Sequence, residues 1–284
     1  MIKKEFINNL NKNVIQVLNE NLELNFNVIK TLLRKGDIRI NNKKIKENQM
    51  LQGGETITCF LPEFLPEIMY KDENILVVNK PKKYETISKN GKNDITEILR
   101  KQFLYCQPCH RLDINTSGVN VFALNEVAYN EITTAFKSNS IEKKYIALVS
   151  GKPEKQRILT HFLLKNSDES KVKIFDNKIK NSVQVITEYK LIKKINHDLS
   201  LLEITLHTGK THQIRAHLAY NGLPILGDRK YGNSEINDKY KKFSQCLISY
   251  SIRFDFSPKS ELYYLSNSIF KIDKDKSNLF DIGD

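Results

Sequence analysis

Nine residues, His110-Arg111-Leu112-Asp113-Ile114-Asn115-Thr116-Ser117-Gly118, gather a guanidinium, a carboxylate and two hydroxyls at the entry to an apolar run, Val119 to Leu124. A carboxylate held beside a guanidinium stays ionised and can serve as nucleophile or base. Taken alone, such an Asp is more often a salt-bridged turn cap at the start of a strand. A second polar cluster, about a hundred residues on, shifts that balance. It runs from His207 through Lys210, Thr211, His212, Gln213, Arg215 and His217 to Asp228, with glycines at 209, 222 and 227. Thr211 is placed to cap a helix running to Tyr220. On that helix His212 and Arg215 share one face, while Ile214 and Leu218 fall around another. The pattern reads as polar side chains positioned by a core and aimed at a ligand. Metal binding by helical histidines competes with this, but no Glu lies between His212 and His217, and their spacing does not fit one face.

Cys106-Gln107-Pro108-Cys109-His110 matches the C-x-x-C-H spacing of c-type haem attachment. Haem attachment implies export, and Met1 to Phe6 lacks the apolar run of an export signal. The pair does not open a helix after a strand, as thioredoxin-like pairs do. Nor does a second ligand pair accompany it for zinc. Both cysteines read as small apolar residues. No stretch approaches the roughly 18 apolar residues of a membrane span. Four cysteines, at 59, 106, 109 and 246, give no disulfide framework for 284 residues. A cytoplasmic protein with no membrane anchor, metal or cofactor is expected.

A formal charge of +12 and a pI near 9.3 suit a polyanionic partner. Lys supplies 37 of the 45 basic residues, a bias that an AT-rich gene would also produce, so charge alone does not decide the partner. The eight arginines say more, because Arg111 and Arg215 fall inside the two clusters.

Prolines at 62 and 66 mark a boundary. They divide the chain into a small unit (residues 1–61), a linker (62–66), a large unit (67–262) and a tail (263–284). In the small unit Phe26, Ile29 and Leu33 form the stripe of an amphipathic helix stopped by Gly36. A strand from Asp37 then enters an Asn41-Asn42 turn, and Gly53-Gly54 leads into Thr56 to Phe60. In the large unit strands are expected at 75–78, 119–124, 145–149, 183–189 and 199–206, and helices at 95–104, 125–137 and 211–220. Helices do not alternate strictly with strands, which disfavours a doubly wound parallel sheet. The expected class is α+β: a mixed, mostly antiparallel sheet with flanking helices and a central cleft. Residues 262–265 are expected to close an edge strand.

Four segments together resemble the RluA-type pseudouridine synthases. Tyr70 to Pro81, ending Asn79-Lys80-Pro81, looks like the family's first motif. Residues 110–118 match its HRLDxxTSG motif. Lys144 to Gly151 is similar to its KxYxAxVxG strand, and 207–232 to its TGxTHQIRxHL and GDxxYG block. The resemblance spans Tyr70 to Phe256. It implies the pseudouridine synthase fold and the conversion of specific uridines in structured RNA to pseudouridine. In that reaction the uracil glycosidic bond breaks, the base turns and C5 rejoins the ribose, with no net redox change or hydrolysis and so no cofactor. The resemblance assigns the acting carboxylate to Asp113 and makes Arg215 its expected ion-pair partner. Tyr145 offers an aromatic face for the uracil and a phenol near C5. A uridine inside a stem must flip out, at a cost of a few kcal/mol. Arg111 is given the role of filling the vacated stack. His110, Lys144, Lys210, Ile225 and Leu226 complete the expected substrate-binding set, with Lys210 standing where the family often has Arg.

Residues 26–44 resemble the RNA-binding domain of small-subunit ribosomal protein S-four, which implies a phosphate track of Lys30, Arg34, Lys35, Arg39, Lys43 and Lys44. That domain's usual Arg-Leu-Asp opening is replaced near Asn11 to Val17. By analogy, the added domain favours large-subunit ribosomal RNA over transfer RNA as substrate. A monomer is expected. The family pattern is departed from twice. Lys82 to Ser88 stands where a Gly and a later His-Pro pair are usual, and Cys246 to Tyr250 replaces a Leu-His-Ala step. A non-catalytic RNA-binding relative would have lost the Asp, Tyr or Arg, and all three are present. A hydrolase built on Asp113 would need a second acidic partner, which the motifs lack.

Overall fold

The computed structural model describes the chain except residues 1, 23, 25, 62–65, 89–93, 139, 167–170, 274, 276–279 and 281–284. The N-terminal part comprises β1 (Ile2–Ile7), α1 (Val14–Leu22), α2 (Phe26–Lys35), β2 (Ile38–Ile40), β3 (Lys43–Ile45) and β4 (Thr56–Leu61). Its strands form an antiparallel sheet in the order β1-β4-β2-β3. Asn41 and Asn42 both have positive φ, 47° and 67°, as a twisted two-residue hairpin requires of residues that tolerate the left-handed region. Val14, Val17, Leu18, Ile29, Leu32 and Leu33 pack on Ile38, Ile40 and Ile57. The expected stripe of α2 is corrected at one end. Leu32 draws the buried face round the helix and leaves Phe26 52% exposed, with the Lys30 ammonium 4.7 Å from its ring.

From Glu67 onward the chain is dominated by strands. They are β5 (Glu67–Lys71), β6 (Ile75–Lys80), β7 (Gln107–Pro108), β8 (Ser117–Ala123), β9 (Ile141–Ser150), β10 (Gln156–Asn166), β11 (Lys171–Phe175), β12 (Val183–Lys194), β13 (Leu199–Leu206), β14 (Leu247–Phe254) and β15 (Ile269–Lys271). The helices are α3 (Ile95–Arg100), α4 (Glu126–Lys137), α5 (Gln213–Tyr220) and α6 (Ser234–Lys239). The sheet runs β11-β10-β12-β13-β9-β14-β8-β6-β5, with β15 paired to β14 and β7 to β8. Its ladders are antiparallel except that of β14 with β8, which is parallel through Ile248–Ser117 and Ser249–Gly118. This is the mixed, mostly antiparallel α+β architecture that the sequence predicts.

β9 lies inside the sheet and its alternation sorts the core. Ile146 and Leu148 face a cluster with Val119, Val121, Ala128, Ile132 and Phe254. Tyr145, Ala147 and Val149 face another with Leu202, Ile204, Ile214, Leu218 and Ile225. Gly118 stands where β8 meets β14, with φ 112°, and a Cβ there would collide with the Ser249 backbone. The chain can therefore run from residues 110–116 into the sheet only with Gly as the second residue of β8.

Several boundaries differ from the sequence prediction. α3 stops at Arg100, after capping by the Asp94 side chain, and Asn125 caps α4. Thr211 does not cap α5. Instead His212 takes a left-handed conformation (φ 53°, ψ 15°), and the Gln213 side-chain oxygen accepts from the Lys210 N–H at 3.1 Å and the Thr208 hydroxyl at 3.0 Å. Residues 263–265 form a 3-10 turn rather than an edge strand, because Leu262 and Leu265 are both buried, a helical spacing, while Tyr263 and Tyr264 face out. β15 pairs with β14 in their stead, and Leu265, Ile272 and Phe280 of the expected tail join the main core. Of the expected linker, 62–66, residues 62–65 lie outside the described residues. Among the described residues no helix is long and apolar enough to cross a membrane.

Candidate active site

Asp113 sits on the loop between β7 and β8, its side chain 24% exposed. The loop is fastened on several sides. The Thr116 N–H donates to the Asp113 carbonyl at 2.9 Å, and the Lys83 N–H to the Ile114 carbonyl at 2.9 Å. The Leu112 N–H donates to the Thr86 hydroxyl at 3.1 Å, and the Gln245 amide to the Thr116 hydroxyl at 2.6 Å. Lys83 and Thr86 belong to the segment that departs from the family pattern, so that departure builds part of the loop's support.

Arg215, on α5, has a side chain only 8% exposed and spends three donors on two carboxylates. Nη1 donates to Asp113 Oδ2 at 2.8 Å. Nε and Nη2 donate to the two oxygens of Asp228 at 2.7 and 2.9 Å, a bidentate grip. Asp228 also accepts from the N–H groups of Lys230 and Tyr231. Burial raises the Asp228 pKa, but Arg215 and those two N–H groups outweigh it and hold the carboxyl below its usual range. Burial likewise opposes the Arg215 charge, and the flanking carboxylates raise its pKa above the ordinary guanidinium value. With its fork clamped at one end and its plane over Tyr231, 5.3 Å away, the guanidinium presents Nη1 to Asp113 in one direction.

Three more side chains complete the cluster. Tyr145 is 7% exposed, and burial pushes its phenol up to about 12; Asp113 acts in the same direction, while a hydrogen bond with Ser249 opposes it. Lys80 is fully buried at the end of β6. Its ammonium donates to the carbonyls of Pro81 (3.0 Å), Tyr84 (2.6 Å) and Ile114 (3.4 Å). Burial pulls its pKa down to about 8, against the pull of Asp113 and Glu85. His212 places Nε2 4.0 Å from Asp113 Oδ2 and Nδ1 3.0 Å from the Tyr231 hydroxyl. Burial, and the charges of Arg215 and Lys230, lower its pKa despite Asp113 and Asp228. The sequence reading gave no site role to Lys80, Asp228, Tyr231 or Ser249, although the first three lie inside quoted motifs. His212 was legible through its spacing from Arg215.

The structure brings Asp113, Tyr145 and Arg215 together and separates others from them. Lys144 is corrected: neighbours on a strand point to opposite faces, and it lies 3.7 Å from Glu203 and 3.9 Å from Glu142. Leu226 is corrected as well, since it packs in the cluster of Ile146 and Leu148. Ile225 stays on the Tyr145 side, 1% exposed. His110 is corrected too. Its Nε2 accepts the Val121 N–H at 3.1 Å, its ring packs on Phe136 at 4.8 Å, and burial with the Lys143 charge pushes its pKa down to about 3. It braces β8 as a neutral acceptor. Arg111 is exposed beside Asp113, with no ion-pair partner among the described residues, and Lys210 is exposed before α5. In the N-terminal part Lys30, Arg34, Lys35, Lys43 and Lys44 are exposed. Arg39 is half-buried, its guanidinium 5.0 Å from the Phe60 ring and opposite Lys44 in register. Cys106 and Cys109 are buried in separate apolar clusters. Among the described residues no three His, Cys, Asp or Glu side chains are grouped to hold a metal.

Comparison with known proteins agrees with this geometry. The family model described as RNA pseudouridylate synthase matches residues 74–220. A ribosomal large subunit pseudouridine synthase C of Buchnera aphidicola is 34% identical over 265 residues, covering 83% of this chain and 82% of the relative. Its counterpart in Rickettsia felis is 32% identical over 236 residues, covering 74% and 77%. The solved structure of human RNA pseudouridylate synthase domain containing 1 is similar with a TM-score of 0.60 and 26% identity, over 70% of this chain and 83% of that one. With its motifs in order, its mixed sheet and an arginine clamped onto the motif aspartate, the chain belongs to the RluA-type family of RNA pseudouridylate synthases.

Proposed function

We propose that this isomerase converts uridines of large-subunit ribosomal RNA to pseudouridine, with Asp113 as the acting carboxylate. The observation that carries the reading is the ladder Asp228–Arg215–Asp113, which fixes a partly open carboxylate through a buried guanidinium. In the reaction the N1–C1′ bond breaks, C5 bonds to C1′, C5 loses its proton and N1 gains one. No atom is added or removed. Tyr145 keeps its proton through the neutral range and offers the uracil a ring face and a hydroxyl. Ile225 packs behind that ring. Arg111, exposed beside Asp113, fills the gap left by the flipped base, and Lys210 meets backbone phosphate.

The N-terminal unit serves as an RNA-binding domain of the S-four type. Lys30, Arg34, Lys35, Lys43 and Lys44 on its surface, with Arg39 beside Lys44, supply sequence-blind phosphate affinity. The names of the bacterial relatives support a large-subunit substrate. The enzyme acts in the cytoplasm as a monomer. Pseudouridine mapping in cells with and without the gene tests the substrate. Loss of one or a few pseudouridines from large-subunit ribosomal RNA is expected. Loss confined to transfer RNA would overturn the ribosomal part of the reading, and loss from neither would overturn it altogether.

A further inference from the structure

Tyr231 touches both the edge of the sheet and the catalytic cluster, and its hydroxyl has to satisfy each. β11 is the outermost strand, so the Val172 N–H that points away from β10 has no ladder partner. It donates to the Tyr231 oxygen at 2.8 Å. The same oxygen lies 3.0 Å from His212 Nδ1. If Nδ1 carried the proton, the phenolic hydrogen would be left with no acceptor among the described residues, and a carboxylate would face a bare nitrogen at Nε2. With Nδ1 as acceptor, the phenol donates to it and the Nε2–H is turned towards Asp113. Each group is then satisfied.

We infer that the Tyr231 hydroxyl locks His212 as its Nε2–H form, and that His212 and Arg215 together engage Asp113 Oδ2 and leave Oδ1 as the reacting oxygen. Arg215 Nη1 already sits on Oδ2 at 2.8 Å, and His212 Nε2 is 4.0 Å from that same oxygen. A 4.0 Å approach is longer than a hydrogen bond, as catalytic contacts often are before substrate binds. Among the described residues no donor reaches Oδ1. The left-handed backbone at His212 is what directs the ring back over the Asp113 loop ahead of α5. Tyr231 and His212 are therefore positioning residues that act through Asp113.

The inference rests on the proposed reaction for its kinetic arm alone, because the tautomer can be read without RNA. Nitrogen-15 spectra of the histidine rings of the whole protein should show His212 protonated at Nε2, and Tyr231→Phe should give a mixture of forms. A proton on Nδ1 in the unaltered protein would overturn the inference. Single-turnover pseudouridine formation on large-subunit RNA from cells lacking the gene supplies the second test. Tyr231→Phe keeps the ring over Arg215 and should slow the step about tenfold, with RNA affinity unchanged. In a His212→Gln background, where an amide N–H needs no tautomer lock, the same change should cost less than about twofold. Equal losses in both histidine backgrounds would mean that Tyr231 merely packs, and would overturn the inference. If the unaltered protein modifies no uridine while His212 is protonated at Nε2, the reaction assignment fails and the tautomer lock stands.

Discussion

A guanidinium as buried as that of Arg215 is stable only while its carboxylates are present. Burying an ion pair gives little net stability, but removing one partner strands the other's charge at a cost of about 3–5 kcal/mol. Asp228 supplies two of the three bonds and is itself 1% exposed. Asp228→Asn should therefore lower unfolding stability by about 3 kcal/mol in urea titrations, and Asp113 should lose its fixed partner. Asp198→Asn, which breaks the exposed pair with Lys239, should leave the urea midpoint where it was. Equal effects from the two changes would mean that the clamp is not the stabilising feature described. At this scale Asp113 and Arg215 were legible because few arginines share a segment with other polar groups. Lys144 was misplaced although the information was present, since the period of two that puts Tyr145 towards the site turns its neighbour away, whereas Leu226 lies in a turn whose packing no local pattern gives. Lys80 gave no such signal, because nothing local tells a buried lysine serving carbonyls from an exposed one.

α5 must be held firmly if Arg215 is to point one way, and its far face shows how this is done. His217 Nδ1 meets the Thr187 hydroxyl of β12 at 2.9 Å, and its Nε2 meets His161 Nδ1 of β10 at 2.8 Å. The Gln213 amide donates to the same Thr187 oxygen at 3.0 Å, and a neutral His217 with Nδ1 as acceptor takes the hydroxyl hydrogen. Fully buried, His217 is neutral in the fold. Burial, with the His161 charge adding to it, pushes its pKa down to about 4. Its folded pKa lies below the unfolded value, so its contribution is fully present above about pH 6.5 and is lost as pH falls towards 4. The loss is on the order of 3 kcal/mol. Urea unfolding at about pH 7.5 and pH 4.5 should show it, and His217→Gln should flatten the dependence. An unchanged slope in that variant would place the acid sensitivity elsewhere, with His110 next in line because its pKa is lowered in the same direction. The strands themselves were legible, since β13 follows its β-branched and leucine pattern residue for residue. The start of α5 was not, because a side-chain amide closes the turn where a threonine cap was expected. The 3-10 turn at 263–265 was hidden behind two tyrosines that look like strand residues but face solvent.

Across the whole molecule, Asp113 and Arg215 are 102 residues apart in sequence and meet because β9 and β14 hold their two segments against one sheet. That meeting was legible from the motifs, whereas the closing of the sheet by the chain's end was not. β15 and the buried Leu265, Ile272 and Phe280 come from a stretch with no strong periodicity, which finds its place only once β14 exists. The two departures from the family pattern are likewise understood only in three dimensions. Thr86 holds the Asp113 loop, and Ser249 bonds the Val119 carbonyl and Tyr145. A net charge of +12 favours any polyanion by counterion release, so RNA binding is expected to be independent of the site carboxylate. Chemistry and binding can therefore be separated in one measurement: pseudouridine formed by Asp113→Asn on large-subunit RNA, with folding and RNA affinity followed alongside. The variant should melt as the unaltered protein does, bind the RNA with similar affinity and form no pseudouridine. Turnover by a folded, RNA-bound Asp113→Asn protein would contradict the central claim that Asp113 performs the reaction.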